Sequence, residues 1–261
     1  MKIKEVLNAL EQFSPLPLQE DWDNAGLQIG LTEMEVSGAL LCLDVNERIV
    51  DEAIAKGCNL IVSHHPLLFR GLKKISDADY VQRTVMKAIE NHVAVISMHT
   101  NMDNARGGVN FKIAEKMGLT NVKFFATKTV DGIEAGSGVI GELPEHEAAD
   151  DFVIAIKKQF DVECVMCNEL LRRPLSRIAI CGGAGDFLLE QAIAAGADAF
   201  VTGEMHYHVY FGHDQEIQIC VIGHYQSEQY TNEIFKSIIK DACSTVPTYL
   251  AYTNTNPIIY L

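Results

Sequence analysis

Short apolar runs alternate along the first part of the chain with longer segments whose apolar residues recur at helical spacing. The runs have the length of buried strands, whereas the periodic segments predict amphipathic helices. The predicted strands are 38–45, 60–63 and 93–98, and the predicted helices between them are 47–56 and 80–91. An order of strand, helix and strand indicates parallel strands joined by right-handed crossovers.

Three further segments continue the pattern. An amphipathic helix is predicted to begin at Ile3 and to end before Pro15. Another is predicted over 109–117, where the following glycine provides the C-terminal cap. The acidic, glycine-interrupted stretch 124–163 indicates short strands and a helix near 148–159.

The second part of the chain repeats the first. A shift of 139 positions aligns Leu41 with Ile180, and a shift of 125 positions aligns His99 with His224. In both halves a carboxylate follows that histidine four residues later. The repeat predicts two similar α/β halves about a pseudo-twofold axis, although strand-helix-strand units also resemble one another by chance.

We therefore predict an α/β protein with two pseudo-symmetric α/β halves, built from mixed, largely parallel sheets flanked by helices. The first half is assigned to 1–125, a connecting segment to 126–175 and the second half to 176–261. Open α/β sheets bind ligands beside the carboxyl ends of their strands. Polar strand ends from both halves are thus expected to converge on one cleft.

The net charge and the lengths of the apolar runs disfavour several classes of protein. The 261 residues include 21 Lys and Arg against 35 Asp and Glu, a net charge of −14. A surface of this sign repels phosphate backbones and anionic lipids, which disfavours a nucleic-acid binder or a membrane-surface protein. No apolar run is long enough to cross a bilayer and no export signal is recognisable, so we expect a cytoplasmic protein.

The seven cysteines are expected to be reduced thiols. Cys164 and Cys167 form a C-x-x-C motif, but no second cysteine pair or following histidine completes a zinc-binding set. We interpret these residues as structural.

The candidate chemistry begins with His64 and His65, which directly follow a predicted strand. Their two imidazoles are expected to point to opposite sides of the strand and to bind different ions; the alternative is a pair of surface histidines. The repeat adds Asp103, His224 and Glu228 to the same cleft. Five such ligands are too many for one tetrahedral zinc and suit two metals.

Glu228 is the candidate bridging carboxylate, because His224 and Glu228 face the same way if a helix begins here. His99 is a possible sixth ligand or a residue that orients a ligand. Mixed imidazole and carboxylate ligands suit zinc, iron, manganese, cobalt and nickel alike, so the identity of the two divalent ions stays open.

Several other polar residues could act near the cleft. Glu204 and His208 have i, i+4 spacing and could transfer protons, or could form a hydrogen-bonded rim. Trp22 and Asn24 could line the site, although a structural turn is the preferred interpretation. A phosphate-binding cluster or a solvated surface could be formed by Arg70, Lys73 and Lys74. The glycines of 182–185 lack the G-x-G-x-x-G spacing and are read as a strand-to-helix turn.

Taken together, the motifs resemble those of the NIF-three-like family, whose members are often labelled GTP cyclohydrolase 1 type 2 homologues. They extend from one end of the chain to the other in the order of the family. The matching motifs are Asp23-Asn24-Ala25-Gly26-Leu27-Gln28, Ser63-His64-His65-Pro66, His99-Thr100-Asn101-Met102-Asp103, Gly108-Val109-Asn110, Gly182-Gly183-Ala184-Gly185, Thr202-Gly203-Glu204 and Gly223-His224-Tyr225-Gln226-Ser227-Glu228.

The resemblance implies a two-metal site with the same five ligands and a homohexameric ring whose metal sites face an internal cavity. It also implies that 126–175 is a connecting segment without the large central domain inserted in longer members. The family label points to the opening of the guanine ring of GTP, a reaction suited to a metal-bound hydroxide.

We therefore expect a cytoplasmic, dinuclear metal-dependent hydrolase that acts on a small molecule, with GTP as one candidate. His99, Glu204 and His208 are the candidate proton-transfer residues, and the five ligands are His64, His65, Asp103, His224 and Glu228. The alternative is a non-catalytic, ring-shaped metal-binding scaffold or metal-handling protein. Whether the protein is an enzyme stays open at this point.

Overall fold

A computed structural model describes residues 1–261, and its contacts divide the chain into two compact units. Unit 1 comprises Met1–Ala105 and Thr231–Pro257, and unit 2 comprises Arg106–Tyr230 and Ile258–Leu261. These units differ from the division expected from the sequence. Residues 106–125 lie in unit 2 instead of the first half, and 231–257 lie in unit 1 instead of the second half.

Unit 1 combines five helices and five strands. Its helices are α1 (Ile3–Phe13), α2 (Glu47–Ala55), α3 (Tyr80–Glu90), α4 (Thr100–Asn104) and α9 (Thr231–Ala242), with a 3₁₀ turn at Leu16–Leu18. Its strands are β1 (Gly26–Ile29), β2 (Ala39–Cys42), β3 (Leu60–Ser63), β4 (Ala94–Ser97) and β13 (Thr248–Leu250). The helices and strands predicted for this part of the chain are present, with ends that shift by a few residues.

The sheet of unit 1 has the order β1-β4-β3-β2-β13. Its four strands from β4 to β13 are parallel, and β1 is antiparallel to β4 at one edge. Every residue of β2, β3 and β4 is buried, which is typical of parallel strands covered on both faces. Because β13 pairs with β2, the C-terminal segment belongs to the first sheet, a long-range pairing that no local pattern in the sequence indicates.

Two helices of unit 1 begin at side chains that cap their first turn. The side chain of Asn46 accepts hydrogen bonds from the amides of Arg48 and Ile49 at the start of α2. The side chain of Asp79 caps α3 in the same way by accepting from the amide of Gln82. Their apolar faces pack with the sheet in a core that includes Ile49.

Unit 2 combines four helices and eight strands. Its helices are α5 (Val109–Lys116), α6 (Ala149–Gln159), α7 (Leu189–Ala194) and α8 (His224–Glu228), with 3₁₀ turns at Asp186–Leu188 and Tyr207–Tyr210. Its strands are β5 (Thr120–Phe124), β6 (Thr127–Val130), β7 (Ile133–Gly136), β8 (Val139–Glu147), β9 (Met166–Cys167), β10 (Leu175–Ala184), β11 (Ala199–Glu204) and β12 (Gln218–Val221).

The main sheet of unit 2 has the order β5-β8-β10-β11-β12-β9, and β6 and β7 form a separate hairpin. Strands β10, β11 and β12 are parallel, whereas β8 and β9 pair antiparallel on either side of them. The segment 126–175 lies wholly within this unit and adds β8 and β9 to the sheet. The fold is therefore mixed α/β, as predicted.

The two units share the order of elements that the sequence repeat predicts. In unit 1, β2-α2-β3 forms a parallel pair, and β4 is followed directly by α4. In unit 2, β10-α7-β11 forms the corresponding pair, and β12 is followed directly by α8. Short helices that carry polar side chains thus begin at equivalent points of both sheets. None of the helices combines the length and apolar character needed to span a membrane.

Candidate metal centre

Three histidines lie together in unit 1, beyond the carboxyl ends of two neighbouring parallel strands. His64 and His65 follow β3, and His99 follows β4. The centroids of their rings are 4.9 to 5.4 Å apart. One nitrogen from each ring lies within 4.8 Å of the others, a spacing that could hold a metal ion.

The prediction that His64 and His65 point to opposite sides of a strand is wrong. Strand β3 ends at Ser63, so the alternation of side chains along a strand does not extend to either histidine. Instead, one nitrogen of each ring lies within 4.8 Å of a nitrogen of His99. His64 is fully buried, whereas the side chain of His65 is 22% exposed.

Asp103 adds a carboxylate beside His64 in unit 1. It lies on α4, the short helix that begins directly after His99. Its Oδ1 atom is 3.5 Å from Nε2 of His64. Nitrogen and oxygen donors of this kind match the ligands preferred by zinc and other first-row divalent metals.

Each of the three imidazoles is held at Nδ1 by an oxygen acceptor. Nδ1 of His65 is 2.7 Å from Oδ1 of Asp44, and Nδ1 of His99 is 2.7 Å from Oδ1 of Asp23. Nδ1 of His64 is 2.9 Å from the carbonyl oxygen of Met98. An acceptor at Nδ1 keeps the proton there, so Nε2 carries the lone pair that can bind a cation.

The two carboxylates that hold these rings are themselves fixed. Asp44 accepts a hydrogen bond from the hydroxyl of Thr255 at 2.6 Å, and Asp23 accepts one from the amide of Thr100 at 2.9 Å. Burial acts to raise the pKa of Asp23, but hydrogen bonds from His99 and Thr100 outweigh it and lower the pKa to about 2. For Asp44, burial is outweighed in the same way, chiefly by His65, and its pKa is lowered.

Sequence reasoning missed Asp23 and Asp44. A signal for Asp44 was present, because it follows β2 at the same end of the sheet as His64 and His65. Asp23 lies in one of the family motifs but ends no strand of the parallel sheet, so the topology alone could not have selected it.

Asp44→Asn is expected to weaken metal binding by about 10- to 100-fold, because the carboxamide cannot hold the Nδ1 proton of His65 as a carboxylate does. Titration calorimetry with zinc or manganese on the folded variant measures this change. Asp77→Asn is a matched control, since Asp77 is an exposed aspartate of the same unit. Equal affinities of the two variants would show that Asp44 does not support a metal ligand.

Unit 2 carries a second donor set on α8. His224 and Glu228 lie one helical turn apart, and Nε2 of His224 is 3.0 Å from Oε2 of Glu228. Nδ1 of His224 donates to Oε1 of Glu204 at 2.8 Å. The expected common direction of His224 and Glu228 is thus present, and a carboxylate again holds the histidine at Nδ1.

A β-bulge in β10 makes room for Glu228. The predicted strand-to-helix turn is present but shorter than expected, because β10 continues to Ala184 and a 3₁₀ turn begins at Asp186, which leaves only Gly185 between them. The pairing of β10 with β11 is interrupted between Cys181 and Ala184, which forms the bulge. Gly183 has a φ of +62°, and a Cβ atom at this position would overlap Oε1 of Glu228. The backbone amide of Gly183 donates to Oγ of Ser227, which fixes the bulge against α8.

The structure does not form the expected Glu204–His208 pair. Glu204 ends β11, whereas His208 lies in the following 3₁₀ turn, so the two residues do not share a helix face. Glu204 binds His224, and the exposed ring of His208 contacts Tyr207 and Phe211. Glu204 is therefore placed to orient a histidine, and the role of His208 stays a prediction.

Asn24 and the C-x-x-C motif were also singled out in the sequence. Asn24 donates to the carbonyl of Leu68 at 2.6 Å, consistent with a structural turn. Cys167 faces Cys220 across the β9–β12 pair, and no group of metal-binding side chains includes a cysteine. The interpretation of the C-x-x-C motif as structural stays a prediction.

Comparison with known proteins places the chain beside one family. A sequence model of Duf34/NIF3 (NGG1p interacting factor 3) matches residues 1–257. A curated "GTP cyclohydrolase 1 type 2 homolog" from Clostridium acetobutylicum is 32% identical over 230 residues, which cover 87% of this chain and 85% of the relative. The Lactococcus lactis protein of the same name is 31% identical over 263 aligned positions, 98% of each chain.

The fold has a close counterpart among solved structures. The crystal structure of Staphylococcus aureus protein SA1388 matches with a TM-score of 0.91 and 28% sequence identity. The match covers 100% of this chain and 99% of that chain. The similarity of fold therefore extends over the whole chain.

Proposed function

Because the chain belongs to the Duf34/NIF3 family, we propose that it is a dinuclear metal-dependent hydrolase of small molecules. The proposed ligands are His64, His65, Asp103, His224 and Glu228. The first three lie in unit 1 and the last two in unit 2, each set measured within its own unit. The proposal that both sets serve one centre rests on the sequence repeat and on the family resemblance.

One observation carries the metal part of the proposal. Three of the candidate histidines, His65, His99 and His224, each have a carboxylate within 2.8 Å of Nδ1. Metal-binding histidines characteristically donate their second N–H to such an acceptor, which sets the tautomer and the ring orientation. His206 and His213 also pair with carboxylates at Nδ1, but neither belongs to a group of side chains that could hold a metal ion. What supports the metal is therefore the combination of the carboxylate at Nδ1 with further nitrogen and oxygen donors near Nε2.

The donor set fits divalent ions. It contains imidazoles and carboxylates but no thiolate, which suits zinc, iron, manganese, cobalt or nickel. Five ligands exceed what one tetrahedral zinc takes, so we propose two ions, with the carboxylate of Glu228 as the bridge. When bound, such ions would polarise a substrate oxygen and lower the pKa of water.

The side chains around the ligands would orient groups and move protons. His99 is the proposed proton acceptor, because Asp23 keeps Nδ1 protonated and leaves Nε2 as the basic atom. Glu204 would orient His224 through Nδ1. His99 lies close enough to His64 and His65 to be a ligand instead, and the two roles predict different metal contents for His99→Ala.

We further propose GTP as a candidate substrate and a homohexamer as the assembly. The names of the Clostridium and Lactococcus relatives support the first, since both are called GTP cyclohydrolase 1 type 2 homologues. The net charge of −14 opposes a highly anionic substrate unless basic side chains lie near the site. The hexamer rests on the family resemblance alone.

His65→Ala is expected to abolish metal-dependent turnover, because it removes a ligand that Asp44 orients. The test loads the purified protein with manganese or zinc and measures hydrolysis of GTP, other nucleotides, phosphodiesters and amides. His213→Ala is the control, since His213 belongs to no candidate metal group and pairs with Glu216.

Equal and negligible rates for the native protein and His65→Ala would contradict the hydrolase. If metal binding were nevertheless lost in His65→Ala, the result would favour the metal-binding scaffold. In the same assay, His99→Ala with full metal content but no turnover would support a proton-transfer role for His99. A lower metal content would make it a ligand.

A further inference from the structure

Two exposed aromatic side chains lie beside the histidine cluster of unit 1. The side chains of Trp22 and Phe69 are 59% and 46% exposed, and their ring centroids are 5.7 Å apart. Both rings also contact the ring of His99, with centroid distances of 5.9 Å from Trp22 and 6.0 Å from Phe69. Large aromatic side chains usually stabilise a fold by burial, so an exposed pair next to a candidate site requires another explanation.

The two rings are held in place by hydrogen bonds of neighbouring residues. Asp23, which follows Trp22, binds the ring of His99 and the amide of Thr100. Asn24 donates to the carbonyl of Leu68, the residue before Phe69. The segment that carries Trp22 is therefore hydrogen-bonded to the candidate metal centre through Asp23. Through Asn24 it is also hydrogen-bonded to the segment that carries Phe69. Such a fixed surface loses little conformational entropy when a ligand binds.

The segment that carries Phe69 is also basic. Arg70, Lys73 and Lys74 are exposed and form no ion pair in the structure. In a protein of net charge −14, three such cations within five residues concentrate positive charge locally. Their guanidinium and ammonium groups are suited to phosphate oxygens.

We propose that Trp22 and Phe69 form a stacking surface for the planar heteroaromatic ring of a phosphorylated substrate, whose phosphate is attracted by the adjacent basic segment. The identification of this ligand as the substrate rests on the proposed function, because the surface borders His99. Binding itself requires only the aromatic and basic side chains. It should therefore occur without metal.

Trp22 is the only tryptophan of the chain, so its fluorescence reports directly on this surface. Titration of the chelator-treated, full-length protein with GMP is expected to quench the emission in a saturable way. Ribose 5-phosphate, which has the phosphate but no ring, should cause no quenching. Guanosine, which has the ring but no phosphate, should bind more weakly than GMP.

Variants separate stacking from general effects on the fold. Trp22→Leu is expected to weaken GMP binding by about 5- to 100-fold in calorimetry, whereas Trp22→Phe should retain most of the affinity. Phe69→Ala should weaken the quenching of Trp22 similarly. Phe211→Ala is the matched control, because Phe211 is 62% exposed and belongs to an aromatic cluster of unit 2.

Three results would overturn the inference. One is equal affinity for GMP and ribose 5-phosphate, and another is unchanged GMP binding by Trp22→Leu. The third is blue-shifted Trp22 emission that acrylamide cannot quench in the free protein, which would show that the surface is not accessible to a ligand.

The stacking surface and the hydrolase can fail separately. Saturable quenching by GMP together with no metal-dependent turnover would support the surface and contradict the hydrolase. Turnover that depends on His65 but is equal in Trp22→Leu and the native protein would contradict the surface only. If Trp22→Leu kept its full metal content but had a higher KM for the hydrolysed substrate, the result would support both the stacking surface and the hydrolase.

Discussion

Glu228→Gln is expected to reduce the metal content from two ions to one per chain and to abolish turnover, while the fold survives. Glu228 is buried on α8 and its Oε2 atom is 3.0 Å from Nε2 of His224. The carboxamide keeps the size of the side chain but removes the negative charge and the second acceptor oxygen, so it cannot bridge two cations. Elemental analysis of the purified variant measures the ions, and circular dichroism measures the fold.

Glu190→Gln is the matched control for this experiment. Glu190 lies on α7 of the same unit, and its side chain is 83% exposed. The control should keep the metal content and the turnover of the native protein. An intact pair of ions in Glu228→Gln would refute the bridging role. If Glu228→Gln did not fold, the metal affinity of Glu228→Asp would be measured instead.

Gly183→Ala is expected to lower both the stability of the protein and its affinity for metal. A φ of +62° costs an alanine about 1 kcal/mol, and the added Cβ atom would overlap Oε1 of Glu228. Because the backbone of the bulge is fixed by the bond to Ser227, Glu228 has to move. We expect a total loss of about 2 kcal/mol or more in urea unfolding and a clear loss of metal affinity.

Gly118→Ala separates the backbone effect from the steric effect. Gly118 follows α5 with a φ of +68°, and a Cβ atom there would meet nothing within 4 Å. This variant should lose only about 1 kcal/mol and should bind metal as the native protein does. If both variants lost the same stability and kept the same metal affinity, the bulge would have no role in placing Glu228.

Local patterns were sufficient for most elements of the fold. The strand at 60–63 was predicted with the boundaries that the structure shows, and the helices near 80–91 and 109–117 differ by one residue at their ends. These segments have an uninterrupted apolar run or a clear helical period, so burial on one side dictates their conformation. The internal repeat likewise indicated the shared order of strands and short helices in the two units.

The candidate ligands were also accessible from the sequence. Histidines and carboxylates that directly follow apolar strands lie at the end of a parallel sheet where ligands bind. This rule selected His64 and His65, and the internal repeat, which aligns His99 and Asp103 with His224 and Glu228, added the other three ligands. The roles of all five as metal ligands remain proposals that the experiments above test.

Only the tertiary structure revealed what holds these side chains. Asp44 is 21 residues from His65 and 211 residues from Thr255, yet the three form one hydrogen-bonded chain. The partnership of Asp23 with His99 and the bulge at Gly183 are equally non-local. A periodic pattern of apolar residues indicates which side of a helix or strand is buried. The hydrogen bonds of Asp44 and Asp23 and the bulge at Gly183 depend instead on how segments far apart in the sequence pack together. The sequence therefore determined the elements and the candidate donors, and long-range packing decided their orientation and their partners.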